Sequence, residues 1–112
     1  MVKIKKKQEQ ELLDIAQKFL TVYGLNLEIR VLFVDKKWIL HDNEKAYGMT
    51  CECMFPTEGG GFSSYYSLQL ACIHSIETIK KTLAHELAHI CILEDLEYTC
   101  DNYARLIMKE CS

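Results

Sequence analysis

Two histidines and a glutamate are closely spaced in KTLAHELAHICI, residues 81–92. His85, Glu86 and His89 follow the pattern H-E-x-x-H. Residues four apart lie on the same face of a helix, so both imidazoles can reach one ion at about 2.0–2.1 Å. Glu86 follows the first histidine, where a carboxylate can take the proton of a water activated by zinc. The spacing predicts a site for one zinc ion per chain, with Glu86 as general base.

The third metal ligand is expected after His89, because catalytic zinc usually has three protein ligands and a water. If the chain turns near Asp95, the last helix runs back beside the motif helix and brings Asp101 level with the histidines. We therefore predict that His85, His89 and Asp101 bind the metal. Glu97, one turn earlier on the same face, is the main alternative, and whichever of the two does not bind would orient a ligating histidine. Glu94 and Asp95 are weaker candidates.

The segment TLAHELAH, preceded by the strand-like YYSLQLA, resembles the zincin metallopeptidases. In that family the H-E-x-x-H helix lies beneath a small sheet, and the edge strand of the sheet pairs with the backbone of a bound substrate. The resemblance implies zinc-dependent hydrolysis of peptide bonds in a peptide or protein substrate. It also implies that residues 65–73 form the edge strand.

Two zincin groups resemble the region after the motif. TCD, residues 99–101, is similar to the Thr-x-Asp of the aspzincins, which implies Asp101 as the third ligand. EYTCDNYARLIM, residues 97–108, is similar to a stretch of the ImmA/IrrE-type peptidases, which implies Glu97. The sequence leaves this choice open, with Asp101 favoured.

The elements that must position these residues follow from hydrophobic periodicity. Gly24 is placed to end the first helix, Ser75 to cap the motif helix, and PTEGGGFSS, residues 56–64, reads as a flexible connection. We predict helices over residues 6–23, 76–93 and 97–109, and strands over residues 25–34, 46–55 and 65–73. This order predicts one α+β domain over residues 1–112, a minimal zincin-like fold with a small twisted mixed sheet.

The six cysteines offer a second possible site. In a hairpin centred on residues 62–63, Cys53 would face Cys72 and Cys51 would face His74. The four side chains could then hold a structural zinc ion, or the first pair could form a disulfide. Free thiols in a reducing compartment are the main prediction.

Composition and charge exclude several classes of function. The chain has 112 residues and a net charge of −3, which gives no electrostatic reason to expect nucleic-acid binding. It has no apolar run of about 20 residues that could span a membrane and no signal-peptide pattern, so we expect a cytoplasmic protein.

The alternative to an enzyme is a zinc-containing peptide-binding or regulatory module with little or no turnover. Oligomeric state does not follow from the sequence.

Overall fold

The computed structural model describes residues 4–91 and 97–111, apart from the side chains of residues 41 and 97–99. Helices and strands follow one another as in an α+β fold, which confirms the predicted class. In chain order the described elements are α1 (Lys6–Val22), β1 (Ile29–Val34), β2 (Ile39–His41), β3 (Glu44–Ala46), β4 (Gly48–Thr57), β5 (Gly61–Ala71), α2 (Ile76–Cys91) and α3 (Glu97–Cys111).

Helix α1 ends where the sequence predicted. Gly24 has a φ of +63°, a backbone conformation that glycine adopts without steric cost. The N–H of Leu25 donates to the carbonyl of Leu20 at 2.9 Å, and that of Gly24 donates to Thr21 at 3.3 Å. These two bonds form a Schellman motif, which closes the helix and turns the chain towards β1.

The main sheet has the order β1-β5-β4. Strand β5 pairs with β1 in parallel and with β4 in antiparallel orientation. The prediction that residues 65–73 form the edge strand is therefore wrong, because β5 lies in the centre and β4 lies at the edge. The small second sheet pairs β2 with β3.

The connection between β4 and β5 is much shorter than predicted. Thr57 pairs with Gly61, so only residues 58–60 form the turn, and Gly60 takes a φ of +76° there. Pro56 is accommodated in β4 because this is an edge strand, where a missing N–H costs no bond within the sheet. The flexible connection predicted over residues 56–64 is therefore wrong at both ends.

The core lies between the three helices and one face of the main sheet. Helix α3 packs along α2, as the predicted return helix requires, and α1 contacts both. Several large side chains in this layer are fully buried, among them Leu12, Phe19, Leu68, Leu83 and Ile107. Within the described residues, no helix combines the length and apolar character needed to span a membrane.

Candidate metal centre

Helix α2 carries the motif and is anchored at both its start and its buried face. The Ser75 side chain accepts a hydrogen bond from the N–H of Thr78 at 3.3 Å, so Ser75 caps the helix as predicted. Leu83 and Leu87 are fully buried on the core side. Because Leu83 and Leu87 fix the orientation of the helix, His85 and His89 point towards α3 and Glu86 points towards the sheet.

The two histidines converge on one point. Nε2 of His85 lies 3.1 Å from Nε2 of His89, and the rings meet edge to face with centroids 4.8 Å apart. Two ring nitrogens at this distance share either a proton or a cation. Two nitrogens bound to one tetrahedral zinc ion would lie about 3.3 Å apart, given bonds of about 2.0–2.1 Å. The observed spacing therefore fits a shared metal ion.

Helix α3 contacts the outer nitrogen of each ring. Oδ1 of Asp101 lies 2.9 Å from Nδ1 of His85, and Sγ of Cys100 lies 3.3 Å from Nδ1 of His89. A ring whose Nδ1–H donates to such a partner presents the lone pair of Nε2 inwards. Consecutive residues of one helix thus orient the two imidazoles for a ligand role.

Glu86 is held against the edge strand. It is 7% exposed and is the one charged side chain that is buried within residues 4–91 and 97–111, apart from the few undescribed side chains. The hydroxyl of Thr50 in β4 donates to its Oε1 at 2.7 Å. Gly48 makes room for this contact, since a Cβ there would lie 3.0 Å from Cγ of Glu86. One ligand atom each from His85, Glu86 and His89 lies within 4.8 Å of the others.

Asp101 is the one candidate for the third ligand whose side chain the structure describes. Asp101 contacts His85 at the nitrogen that faces away from His89, and its side chain is 64% exposed. Its role as a metal ligand stays a prediction. The side chain of Glu97 lies outside what the structure describes, as do Glu94 and Asp95 entirely.

The possible second site is not assembled. Cys53 pairs with Tyr65 and Cys51 with Ser67, so the predicted hairpin register, which set them opposite Cys72 and His74, is wrong. Cys72 is buried, and burial together with Glu9 raises the pKa of its thiol to about 11. A zinc ligand needs the thiolate, which this environment disfavours.

His74 is engaged elsewhere, and the cysteines are unpaired with one another. The ring of His74 packs on Tyr47 with centroids 4.3 Å apart, and its Nε2 contacts the carbonyl of Lys37. None of the six cysteines, all of which lie among the described residues, forms a disulfide, and three of them are buried. Nothing in this region offers converging ligands among the described residues.

Three residues at the centre were not predicted from the sequence: Thr50, Gly48 and Cys100. Each lies outside the H-E-x-x-H pattern and acts through tertiary contact. Alternation in β4 does put Gly48 and Thr50 on one face, but only the tertiary structure shows that α2 packs against that face. Comparisons with known protein families, with curated proteins and with solved structures gave no significant match to this chain.

Proposed function

We propose that this chain is a zinc-dependent peptide hydrolase in which His85 and His89 bind the metal and Glu86 is the general base. The observation that carries this proposal is the convergence of the two Nε2 atoms at 3.1 Å beside a buried carboxylate. Two imidazoles that converge beside a buried carboxylate are the arrangement that an H-E-x-x-H zinc hydrolase uses for its metal and its general base.

The donor set fits zinc. Imidazole nitrogen suits this ion, and both rings have a partner on the outer nitrogen, as ligating histidines usually do. Zinc held by His85 and His89 would supply a Lewis acid that makes a water molecule acidic enough to lose its proton near neutral pH. Glu86 would accept a proton from the attacking water and donate it to the leaving amine of the cleaved peptide bond. Thr50 keeps the carboxylate in place during both transfers.

We further propose that Glu97 completes the ligand set and that Asp101 orients His85. Asp101 is already in contact with the outer nitrogen of His85. Glu97 begins α3 and lies about one helical turn before Asp101. Its similarity to the ligand of the ImmA/IrrE-type peptidases supports this choice over Asp101. Cysteines that form no disulfide suit a reducing compartment, and we propose a cytoplasmic location on this ground.

The decisive test compares the zinc-loaded chain with its Glu86→Gln variant on a synthetic peptide library read by mass spectrometry. We expect the variant to keep one zinc per chain and to lose peptide cleavage by about 10²–10⁴-fold, because only the proton acceptor is removed. Glu77→Gln, an exposed carboxylate in the first turn of the same helix, is the matched control and should cleave normally.

Three results would count against the hydrolase. Cleavage that is equal in the wild type and Glu86→Gln would exclude Glu86 as the base. Zinc binding without any cleavage would instead favour a zinc-containing module that binds or regulates peptides. Far less than one zinc per chain in protein purified without a His tag would exclude the metal centre.

A further inference from the structure

The hairpin of β4 and β5 extends beyond the rest of the main sheet. Strand β1 pairs with β5 only from Tyr66 onwards. The pairs between β4 and β5 continue past this point to Thr57 and Gly61. The outer half of the hairpin is therefore a two-stranded arm, with β1 alongside its inner half alone.

One face of this arm is continuous with the candidate metal centre. Side chains of a strand alternate between faces, and directly paired residues of antiparallel strands share a face. Thr50 faces α2, because its hydroxyl bonds Glu86. Glu52, Met54 and Pro56 follow Thr50 at even spacing, Ser64 is paired with Met54, and Phe62 is paired with Pro56. We call the apolar residues of this set, Met54, Pro56 and Phe62, the hairpin surface; the exposed Glu52 lies between it and Thr50.

The hairpin surface is apolar and open to solvent. Met54 is 68% exposed and Phe62 is 73% exposed, whereas Leu68 and Leu70 on the same face of β5 are fully buried by the helices. Exposed apolar groups that continue a core face and adjoin a reactive centre are typical of a binding surface.

The hairpin surface lies at a definite distance from the candidate metal centre along the direction of β4. Strand β4 runs antiparallel to β5, and α2 follows β5 after the short connection of residues 72–75 and packs back against it, so α2 and β4 run in the same direction. Met54 lies about 13 Å beyond Thr50 at roughly 3.3 Å per residue. The rest of α2 after Glu86 rises only about 8 Å to Cys91. The hairpin surface therefore lies past the last described residue of α2.

We propose that the hairpin surface binds the apolar side chains of an extended peptide substrate, four to six residues from the bond that is cut. An extended peptide advances about 3.3 Å per residue, so a chain with its reacting carbonyl at His85 and His89 reaches Met54 after about four residues and Phe62 after about six. The open outer edge of β4 can pair with the peptide backbone along this path. This inference rests on the proposed function and specifies its substrate class.

The test measures binding apart from turnover. The zinc-loaded Glu86→Gln chain is titrated against two pools of fluorescein-labelled ten-residue peptides. One pool has Leu, Ile, Val or Phe at alternate positions, and the other has Ser, Thr or Gln there. We expect the apolar pool to bind more tightly. Adding Met54→Ser and Phe62→Ser should weaken its binding by about ten- to a hundredfold, to the level of the polar pool.

Phe55 provides the matched control. It is an exposed aromatic residue in the same strand, but it lies on the opposite face, where its ring packs near Tyr65. Phe55→Ser should leave the binding of both pools unchanged. Equal binding of the two pools, an equal loss in Phe55→Ser, or no loss in the Met54→Ser, Phe62→Ser variant would each overturn the proposal.

Two further readouts separate this inference from the hydrolase itself. Cleavage sites of the active chain should show apolar residues four to six positions from the cut, and Met54→Ser with Phe62→Ser should remove that preference. Tight binding that depends on Met54 and Phe62 without any cleavage would exclude the hydrolase but keep the surface. Cleavage whose rate and sequence preference are unchanged by Met54→Ser and Phe62→Ser would support the hydrolase proposal and exclude the hairpin surface as a substrate-binding site. A wild-type dimer that these changes convert to a monomer in sedimentation would assign the surface to a second copy and overturn the inference.

Discussion

Asp101 contributes to the centre through its contact with His85. Because it touches the outer nitrogen, Asp101→Asn should weaken zinc binding by about 10–100-fold and keep a stoichiometry of one. Glu97→Gln should weaken zinc binding far more, since it removes a proposed ligand. Competition with a chromogenic chelator measures both affinities.

The neighbouring Asn102, an exposed residue of α3, supplies the control for this pair. Asn102→Ala should bind zinc like the wild type. The opposite ranking, with Asp101→Asn losing the metal and Glu97→Gln retaining it, would make Asp101 the third ligand.

Thr50, in the edge strand, donates a hydrogen bond to Glu86, the proposed general base. Thr50→Val removes the hydroxyl that donates to Glu86 but keeps the shape of the side chain. We expect kcat to fall about ten- to a hundredfold with zinc content unchanged, because the carboxylate loses its fixed orientation. Thr50→Ser restores the donor and should recover most of the rate. A Thr50→Ser variant as slow as Thr50→Val would show that packing by the methyl group is what matters.

At the scale of elements, the close packing of β4 on α2 depends on Gly48. A Cβ at this position would lie 2.8 Å from Cγ2 of Thr82 and 3.0 Å from Cγ of Glu86. Gly48→Ala should therefore push the strand from the helix and lower the free energy of unfolding by about 1–3 kcal/mol. Because Glu86 moves with the helix face, peptide cleavage should fall as well. Urea unfolding and cleavage rates measure the two effects.

Gly59 is the control for this substitution. It lies in the hairpin turn, where a Cβ would meet nothing within 4 Å. Gly59→Ala should change the unfolding free energy by less than about 0.5 kcal/mol. If Gly48→Ala and Gly59→Ala were equally stable and equally active, the close approach of β4 to α2 at Gly48 would not contribute to stability or activity.

The elements differ in how far the sequence predicts them. Helix α2 was predictable because its periodic apolar residues and the Ser75 cap are local signals. The register of β4 with β5 was not predictable, because Pro56 and three glycines suggest a loop. Only the pairing with β5 shows that β4 continues past Pro56 to Thr57. The central place of β5 depends on β1, a strand far away in the chain whose parallel pairing has no local signature.

The candidate site divides in the same way. His85, Glu86 and His89 were found because helical spacing alone brings them together. The contacts of Asp101 with His85 and of Thr50 with Glu86 join separate elements, so a single sequence shows which residues are available but not which atoms meet.

At the scale of the whole molecule, zinc should stabilise a fold that already has its own core. The helices and the main sheet enclose an apolar core of their own, so the metal-free chain should stay folded. Zinc at about a hundred times its Kd should add about 2.7 kcal/mol. For a domain of this size the gain corresponds to a rise in Tm of roughly 10 °C.

Thermal unfolding followed by circular dichroism, with zinc and with EDTA, checks this expectation. A variant with His85→Ala and His89→Ala should show no shift with zinc. Loss of helical signal in EDTA at 25 °C would instead mean that the metal is part of the folding core.

The parallel pairing of β1 with β5 has a consequence for how the chain reaches its native state. The hairpin of β4 and β5 and the contact between α2 and α3 join stretches that are near in sequence, whereas Ile29 must find Tyr66 across the whole intervening segment. Closing so long a loop is slow, because its entropy is lost before the new contacts form. We expect β1 to dock last, so that substitutions in β1 mainly accelerate unfolding while substitutions in the hairpin slow refolding.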